Sequence, residues 1–244
     1  MIRIIIIGIL VGLFFVFSMP LYFALWVIGK FNPSAKDKAS LSIVKWAFGV
    51  VLFVAGTKVT VLGEENLPKD RSVLYVGNHR SFFDIIINYR LVPGLTGFVA
   101  KKETNKVPFL RLWMKNVKCL FLDRQDIKQG LQIILTAIEQ VKNGISIFIF
   151  PEGTRNKEEG TFLPFKAGSF KIATKSGCDI IPVAICNSAA ILENQFPKIK
   201  KAHVVVEYGA PIVVKNLDKE QLKIVHEIAQ NRIMEMYNKN KDLV

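Results

Sequence analysis

The stretch Ser72-Val-Leu-Tyr-Val-Gly-Asn-His-Arg-Ser-Phe-Phe-Asp84, running on into Ile85-Ile86-Ile87, decides how this chain folds. Its first half is short, rich in β-branched and aromatic residues and closed by Gly77-Asn78, the pattern of a buried strand that ends in a turn. Its second half begins with Ser81 and Asp84, a Ser-x-x-Asp spacing like a helix capping box with Asp in place of Glu, and then turns apolar. A strand, a polar turn and a helix therefore follow one another, with His79 just before the helix start and Asp84 five residues later.

Outward from that stretch the same alternation continues from Lys58 to the end. Residues 58–62, 72–76, 97–100, 117–122, 145–150, 180–185 and 203–208 read as strands. Residues 82–89, 107–115, 127–142, 167–175 and 218–238 read as helices. Within 127–142, Leu131, Ile134, Leu135, Ile138 and Val141 recur at three- and four-residue spacing, and Asn143-Gly144 stops the helix. Alternation of this kind predicts an α/β domain, a mixed sheet flanked by helices, over residues 58–244.

Residues 1–57 have a different character. Ile4 to Gly29 carries no charge, a run long enough at ~1.5 Å per helical residue to cross a hydrocarbon core of roughly 30 Å. A secretory signal peptide is the rival reading, but the run is too long, lacks a small-residue cleavage pattern and contains Pro20, which is expected to kink or interrupt the helix. After a linker from Lys30 to Lys38 comes a second apolar segment, Ala39 to Thr57, which Lys45 divides so that only Trp46 to Thr57 is uninterrupted. That remainder is too short to span comfortably. The expectation is an N-terminal membrane-anchoring helical pair lying in one leaflet, with Trp26, Trp46 and the lysines at headgroup level and the rest of the chain on the cytoplasmic side; a single spanning anchor fits the length as well.

Charge agrees with a membrane. The 244 residues hold 33 Lys+Arg against 20 Asp+Glu, a net charge of +13 at 50% hydrophobic content, and mean hydropathy is +0.30. Such a balance suits nucleic acid or an acidic bilayer, and the apolar N-terminus selects the anionic bilayer over nucleic acid. Cys119, Cys178 and Cys186 show no C-x-x-C spacing and read as small buried hydrophobes in a reducing compartment.

Reactive residues of such sheets gather at the carboxyl ends of strands. Four polar clusters follow predicted strands: Asn78-His79 with Asp84, Lys101-Lys102-Glu103, Asp123-Arg124, and Pro151-Glu152-Gly153-Thr154-Arg155. If His79 lies in the loop and Asp84 in the first helical turn, the carboxylate can reach back to one imidazole nitrogen and orient a base toward a hydroxyl. Equally, Asp84 can simply cap the helix and complement its dipole. His203 and His226 have no metal-ligand spacing to a partner, and no H-E-x-x-H, G-x-S-x-G or G-x-x-x-x-G-K-[ST] motif is present, which argues against zinc hydrolase, serine hydrolase and P-loop chemistry.

Asn78-His-Arg-Ser-Phe-Phe-Asp84 resembles the N-H-x-x-x-x-D motif, and Phe150-Pro-Glu-Gly-Thr-Arg155 the F-P-E-G-T-R motif, of glycerolipid acyltransferases, specifically the 1-acylglycerol-3-phosphate acyltransferases. Phe121-Leu-Asp-Arg124 and Ile181-Pro-Val-Ala184 resemble two further motifs of that family, in the right order between about Val59 and about Pro211. The departures are mild: Asn156 stands where Ser is common, and Phe121-Leu122 where isoleucines are usual. The resemblance implies transfer of a fatty acyl group from acyl carrier protein or coenzyme A to the 2-hydroxyl of lysophosphatidic acid, with no metal or other cofactor. It implies His79 as general base and Asp84 as its orienting partner, with Glu152, Gly153, Thr154 and Arg155 lining the acceptor site. Arg155 and Lys101 would bind the phosphate, Arg124 would add charge, and Lys102 reads as a solvated surface cation. No Ser or Cys stands beside His79 to serve as a nucleophile, and Asn78 or backbone N–H groups near the helix start are the candidates for stabilising an oxyanion. An enzyme of the same family acting on glycerol 3-phosphate or another lysophospholipid, and a non-catalytic lipid- or carrier-binding membrane protein, are the competing readings.

Overall fold

The computed structural model describes all residues, Met1–Val244. It opens with two long helices, α1 (Ile2–Phe31) and α2 (Pro33–Ala55), packed against each other. Helix continues through Pro20, so the expected interruption does not occur: proline removes one backbone donor, and the turns on either side keep their own bonds. The expected linker is almost entirely helical as well. Only Asn32 breaks the run, and its side chain accepts from the Ala35 N–H while Pro33 occupies the first helical turn. An Asn-Pro pair starts a helix here because the missing proline N–H is one that a helix start leaves unpaired anyway. α2 is thereby 23 residues long, about 35 Å at 1.5 Å per residue, with Lys45 inside it. Two of its charges turn toward protein: Lys45 Nζ donates to the Val92 carbonyl at 2.7 Å, and Asp37 pairs with Lys118 at 2.8 Å.

Beyond the helical pair, seven strands form one sheet: β1 (Lys58–Leu62), β2 (Leu74–Gly77), β3 (Thr96–Lys101), β4 (Leu120–Leu122), β5 (Ser146–Ile149), β6 (Ile180–Cys186) and β7 (His203–Tyr208), in the order β1-β7-β6-β2-β5-β3-β4. All neighbours are parallel except β6 and β7, so the sheet is mixed. β2 to β6 run one way while β1 and β7 run the other. The carboxyl ends of β2, β3, β4, β5 and β6 therefore share one edge, and the loops after them face a common space.

Six more helices complete the chain: α3 (Phe82–Leu91), α4 (Pro108–Asn116), α5 (Ile127–Lys142), α6 (Lys171–Ser176), α7 (Lys219–Lys223) and α8 (Val225–Asn240). Strand alternation sorts side chains to the two sheet faces. Tyr75, Ile181, Val183 and Ile185 join α1 to α4 on one face; Leu74, Val76, Ile180 and Ala184 join α5, α6 and α8 on the other. The first cluster takes in Leu25 of α1 and Val44, Val51, Leu52 and Ala55 of α2, so the membrane-type helices share a core with the sheet.

Two expected helices are divided: 167–175 into a 3₁₀ turn, Ala167–Phe170, followed by α6, and 218–238 into α7 and α8 at Ile224. The apolar stripe of α5 is shifted from its sequence reading. Ala137, Ile138 and Val141 are buried, whereas Leu131 and Leu135 are 55% and 50% exposed.

Candidate active site

β2 delivers the chain into the site, and Asn78 fixes where it emerges. The Asn78 side chain donates to the Ile185 carbonyl (2.9 Å) and accepts from the Ile185 N–H (2.8 Å), tying the end of β2 to β6. Asn78 is buried, and this two-way bond to the Ile185 backbone makes it an anchor for the end of β2.

The turn after it closes on Asp84. Ser81 caps α3 by accepting from the Phe83 N–H, and Asp84 completes the capping box. One oxygen of Asp84, Oδ2, accepts from the Arg80 N–H (2.7 Å), the Ser81 N–H (2.8 Å) and His79 Nδ1 (2.9 Å), so capping and contact with the imidazole are carried by the same atom. Two backbone donors on Oδ2 leave it only an acceptor, and the proton in the third bond sits on Nδ1. Nε2 then holds the lone pair and has no partner within the protein. The imidazole lies on the Phe150 ring, with centroids 4.2 Å apart and planes 16° apart, above a stack that continues through Phe148, Phe98 and Tyr89. Ring on one side and carboxylate on the other restrict His79 to one orientation.

The loop after β5 clamps the same residue from both ends. Glu152 Oε1 accepts from the His79 N–H at 2.8 Å, and the Asn156 N–H donates to the His79 carbonyl at 2.8 Å. Glu152 Oε2 accepts from the Leu163 N–H at 3.2 Å. Burial raises the pKa of this carboxyl, against the pull of those two amides. Glu152 was expected to line the acceptor site. Its carboxylate is instead buried and occupied by backbone amides, so it braces the loop that holds His79. Gly153 takes φ +76°, and a Cβ there would stand 2.9 Å from Lys166 Nζ, so a larger residue meets both backbone strain and a neighbouring cation. Thr154 is exposed on the same loop.

The cations take up different positions. Arg155 is partly exposed, stacks its guanidinium 3.9 Å over the Phe82 ring and pairs with Glu193 at 2.9 Å. Lys101 at the end of β3 is open to solvent and only loosely paired, 3.7 Å from Glu103. Lys102 pairs with Asp123 at 2.8 Å, and Arg124 is exposed beside it in the turn after β4. The sheet edge thus gathers the histidine, its carboxylate and a rim of positive charge, as the strand directions require.

Comparison with known proteins gives the family and the fold. The family model described as Acyltransferase matches residues 58–186, from β1 through β6. The chain belongs to the acyltransferase family. It is 33% identical over 177 residues to a 1-acyl-sn-glycerol-3-phosphate acyltransferase of Saccharomyces cerevisiae, covering 72% of this chain and 58% of that protein. It is 30% identical over 210 residues to the enzyme of the same name from Haemophilus influenzae, covering 82% and 85%. The crystal structure of the 1-acyl-sn-glycerophosphate acyltransferase PlsC from Thermotoga maritima superposes with a TM-score of 0.80 at 26% identity, over 96% of this chain and 94% of that one. The mixed sheet and both N-terminal apolar helices lie within that superposition. This acyltransferase therefore spans less than two thirds of the length of its yeast relative but nearly all of the solved bacterial structure.

Three residues of the site went unremarked in the sequence. Arg80, only 5% exposed, donates to the Glu158 carbonyl and pairs with Glu159 at 2.8 Å, pinning the loop after Asn156. Lys166 lies against Gly153 from 13 residues downstream. Glu193, beyond β6, reaches back to Arg155. No local pattern marks them, because each meets its partner only after the chain has folded.

Proposed function

We propose that this protein transfers a fatty acyl group from a thioester, carried on acyl carrier protein or coenzyme A, to the 2-hydroxyl of lysophosphatidic acid, giving phosphatidic acid. The observation that carries the reading is His79, held by Asp84 Oδ2 at 2.9 Å through Nδ1 with Nε2 unpartnered. Nε2 takes the hydroxyl proton as the oxygen attacks the thioester carbonyl. A C–O bond forms, the tetrahedral intermediate collapses with loss of the C–S bond, and the imidazolium returns its proton to the departing thiolate. Asp84 stabilises the transient imidazolium. The names of the relatives support this chemistry, and so does the absence of a Ser or Cys side chain bonded to the imidazole, which favours direct attack over a covalent intermediate.

Arg155 receives the phosphate of the acceptor, with Lys101 and Arg124 adding positive charge and Thr154 and Gly153 forming the loop beneath it; guanidinium suits a phosphate because its donors match two oxygens at once. Glu152 acts indirectly, by holding the His79 backbone. α1 and α2 carry the protein on an anionic bilayer, where both amphiphilic substrates reside, with the site on the cytoplasmic side.

The test is acyl transfer to lysophosphatidic acid by the wild-type protein and His79→Ala, with acyl-CoA and acyl carrier protein donors side by side. Loss of general base catalysis is expected to lower the rate about 10²- to 10⁴-fold with either donor. A His79→Ala variant as fast as wild type would refute the assignment, and a wild type inert toward lysophosphatidic acid but active on glycerol 3-phosphate would move the acceptor.

A further inference from the structure

Glu193 makes an unusual set of contacts for a residue so close to a cationic site. It lies in the connection between β6 and β7, in the 3₁₀ turn Glu193–Gln195, outside all four sequence motifs. Its Oε1 accepts both from Arg155 Nη1, at 2.9 Å, and from the Phe82 N–H, at 2.9 Å. Its other oxygen, Oε2, is shielded from solvent and has no hydrogen-bond partner. A buried carboxylate oxygen without a partner is costly, and such an atom calls for an explanation.

We propose that Glu193 is an anionic latch on Arg155, a specificity residue that the acceptor's phosphate must displace. This rests on the phosphate-binding role given to Arg155 above. In the structure the carboxylate holds one guanidinium nitrogen, Nη1, as its partner, and a phosphate arriving beside it would compete for that donor and meet like charge at close range. When the latch opens, Oε2 gains water, which offsets part of the cost of breaking the ion pair. The guanidinium keeps its seat over the Phe82 ring, 3.9 Å away, and so remains in place to receive the incoming anion. A phosphomonoester, carrying up to two charges, competes with the carboxylate better than a singly charged phosphodiester. Discrimination between lysophosphatidic acid and a phosphodiester lysolipid follows from that competition, in addition to shape.

Glu193→Gln is the direct test, since the amide oxygen still accepts from the Phe82 N–H and shape is retained. Two readings are taken on the wild type, Glu193→Gln, Arg155→Ala and the double variant: steady-state kinetics with lysophosphatidic acid and lysophosphatidylglycerol, and calorimetric titration with inorganic phosphate. Glu193→Gln is expected to lower KM for lysophosphatidic acid and the Kd for phosphate about 2- to 5-fold, as for loss of a partly exposed ion pair, with kcat within about twofold. It is also expected to reduce the preference for lysophosphatidic acid over lysophosphatidylglycerol, and to change neither constant in the Arg155→Ala background. An unchanged or raised KM and Kd in Glu193→Gln overturns the latch and leaves Glu193 as a support for Arg155. Phosphate binding reads the latch even if lysophosphatidic acid is not the acceptor, so failure of the proposed reaction and failure of the latch are separable.

Discussion

At the residue scale, the site is built on two carboxylates with opposite assignments. Asp84 spends Oδ2 on the imidazole and two amides at the helix start, so replacing its charge disturbs imidazole and helix together. Glu152 is buried on two backbone amides, and its consequence is a pH effect on stability. Burial raises its pKa above the ordinary 4.5, so the folded state holds this proton more tightly than the unfolded chain does. The contribution is therefore most favourable below 4.5 and declines as pH rises from there through the raised value. Urea unfolding of wild type and Glu152→Gln across that interval is expected to show the wild type losing stability relative to the variant as pH rises; the opposite trend would mean that the amide bonds to His79 and Leu163 outweigh desolvation.

At the element scale, α5 shows how amphipathic periodicity can name a helix correctly and still misplace its buried face. Leu131 and Leu135 belong to the apolar pattern yet lie largely exposed, because the face packed on β4, β5 and α6 is centred on Ala137, Ile138 and Val141. A side chain in open solvent carries little packing energy. Leu131→Gln is expected to change stability by no more than about 0.5 kcal/mol, whereas Ile138→Ala should cost about 2–5 kcal/mol through lost contacts and a residual cavity. Equal losses in chemical denaturation would show that Leu131 is covered in solution. The Asn32-Pro33 junction carries a parallel lesson: its residues read as a linker, but a capping Asn and a proline in the first turn make it a tight joint between two helices.

At the scale of the whole molecule, α1 is bound into the fold while most of its surface stays uncovered. Phe14 and Tyr22 pack edgewise or tilted against Trp113 of α4, and the Trp113 indole N–H donates to Ser18 at 3.1 Å. On the other side, Val16, Phe17 and Phe23 are 63%, 72% and 65% exposed, an apolar surface suited to lipid. Lys30 lies 4.1 Å over the Trp26 ring, an arrangement suited to headgroup level. Binding to vesicles containing phosphatidylglycerol should therefore persist at about 0.5 M salt, where exposed charges are screened beyond a few ångströms. Removing residues 1–31 should abolish that salt-resistant binding and also lower the melting temperature, since Trp113 loses its cover. Vesicle flotation and thermal unfolding check the two halves separately, and release by salt alone would mean that charge, not the helix, holds the protein to the membrane.

Periodicity, capping pairs and strand-end motifs are short-range properties, and they were enough to make the strand-turn-helix around His79, the alternation from Lys58 onward and the apolar N-terminus legible in the amino-acid sequence alone. His79 and Asp84 are only five residues apart, so one capped turn suffices to join them. The antiparallel step between β6 and β7, the inward turn of Glu152, the diversion of Asn78 to Ile185 and the reach of Glu193 to Arg155 were decided by the tertiary structure. Each links residues dozens of positions apart or depends on which polar groups burial forces into partnership. Composition at one end of the chain carries no record of a partner that arrives only when the sheet has closed.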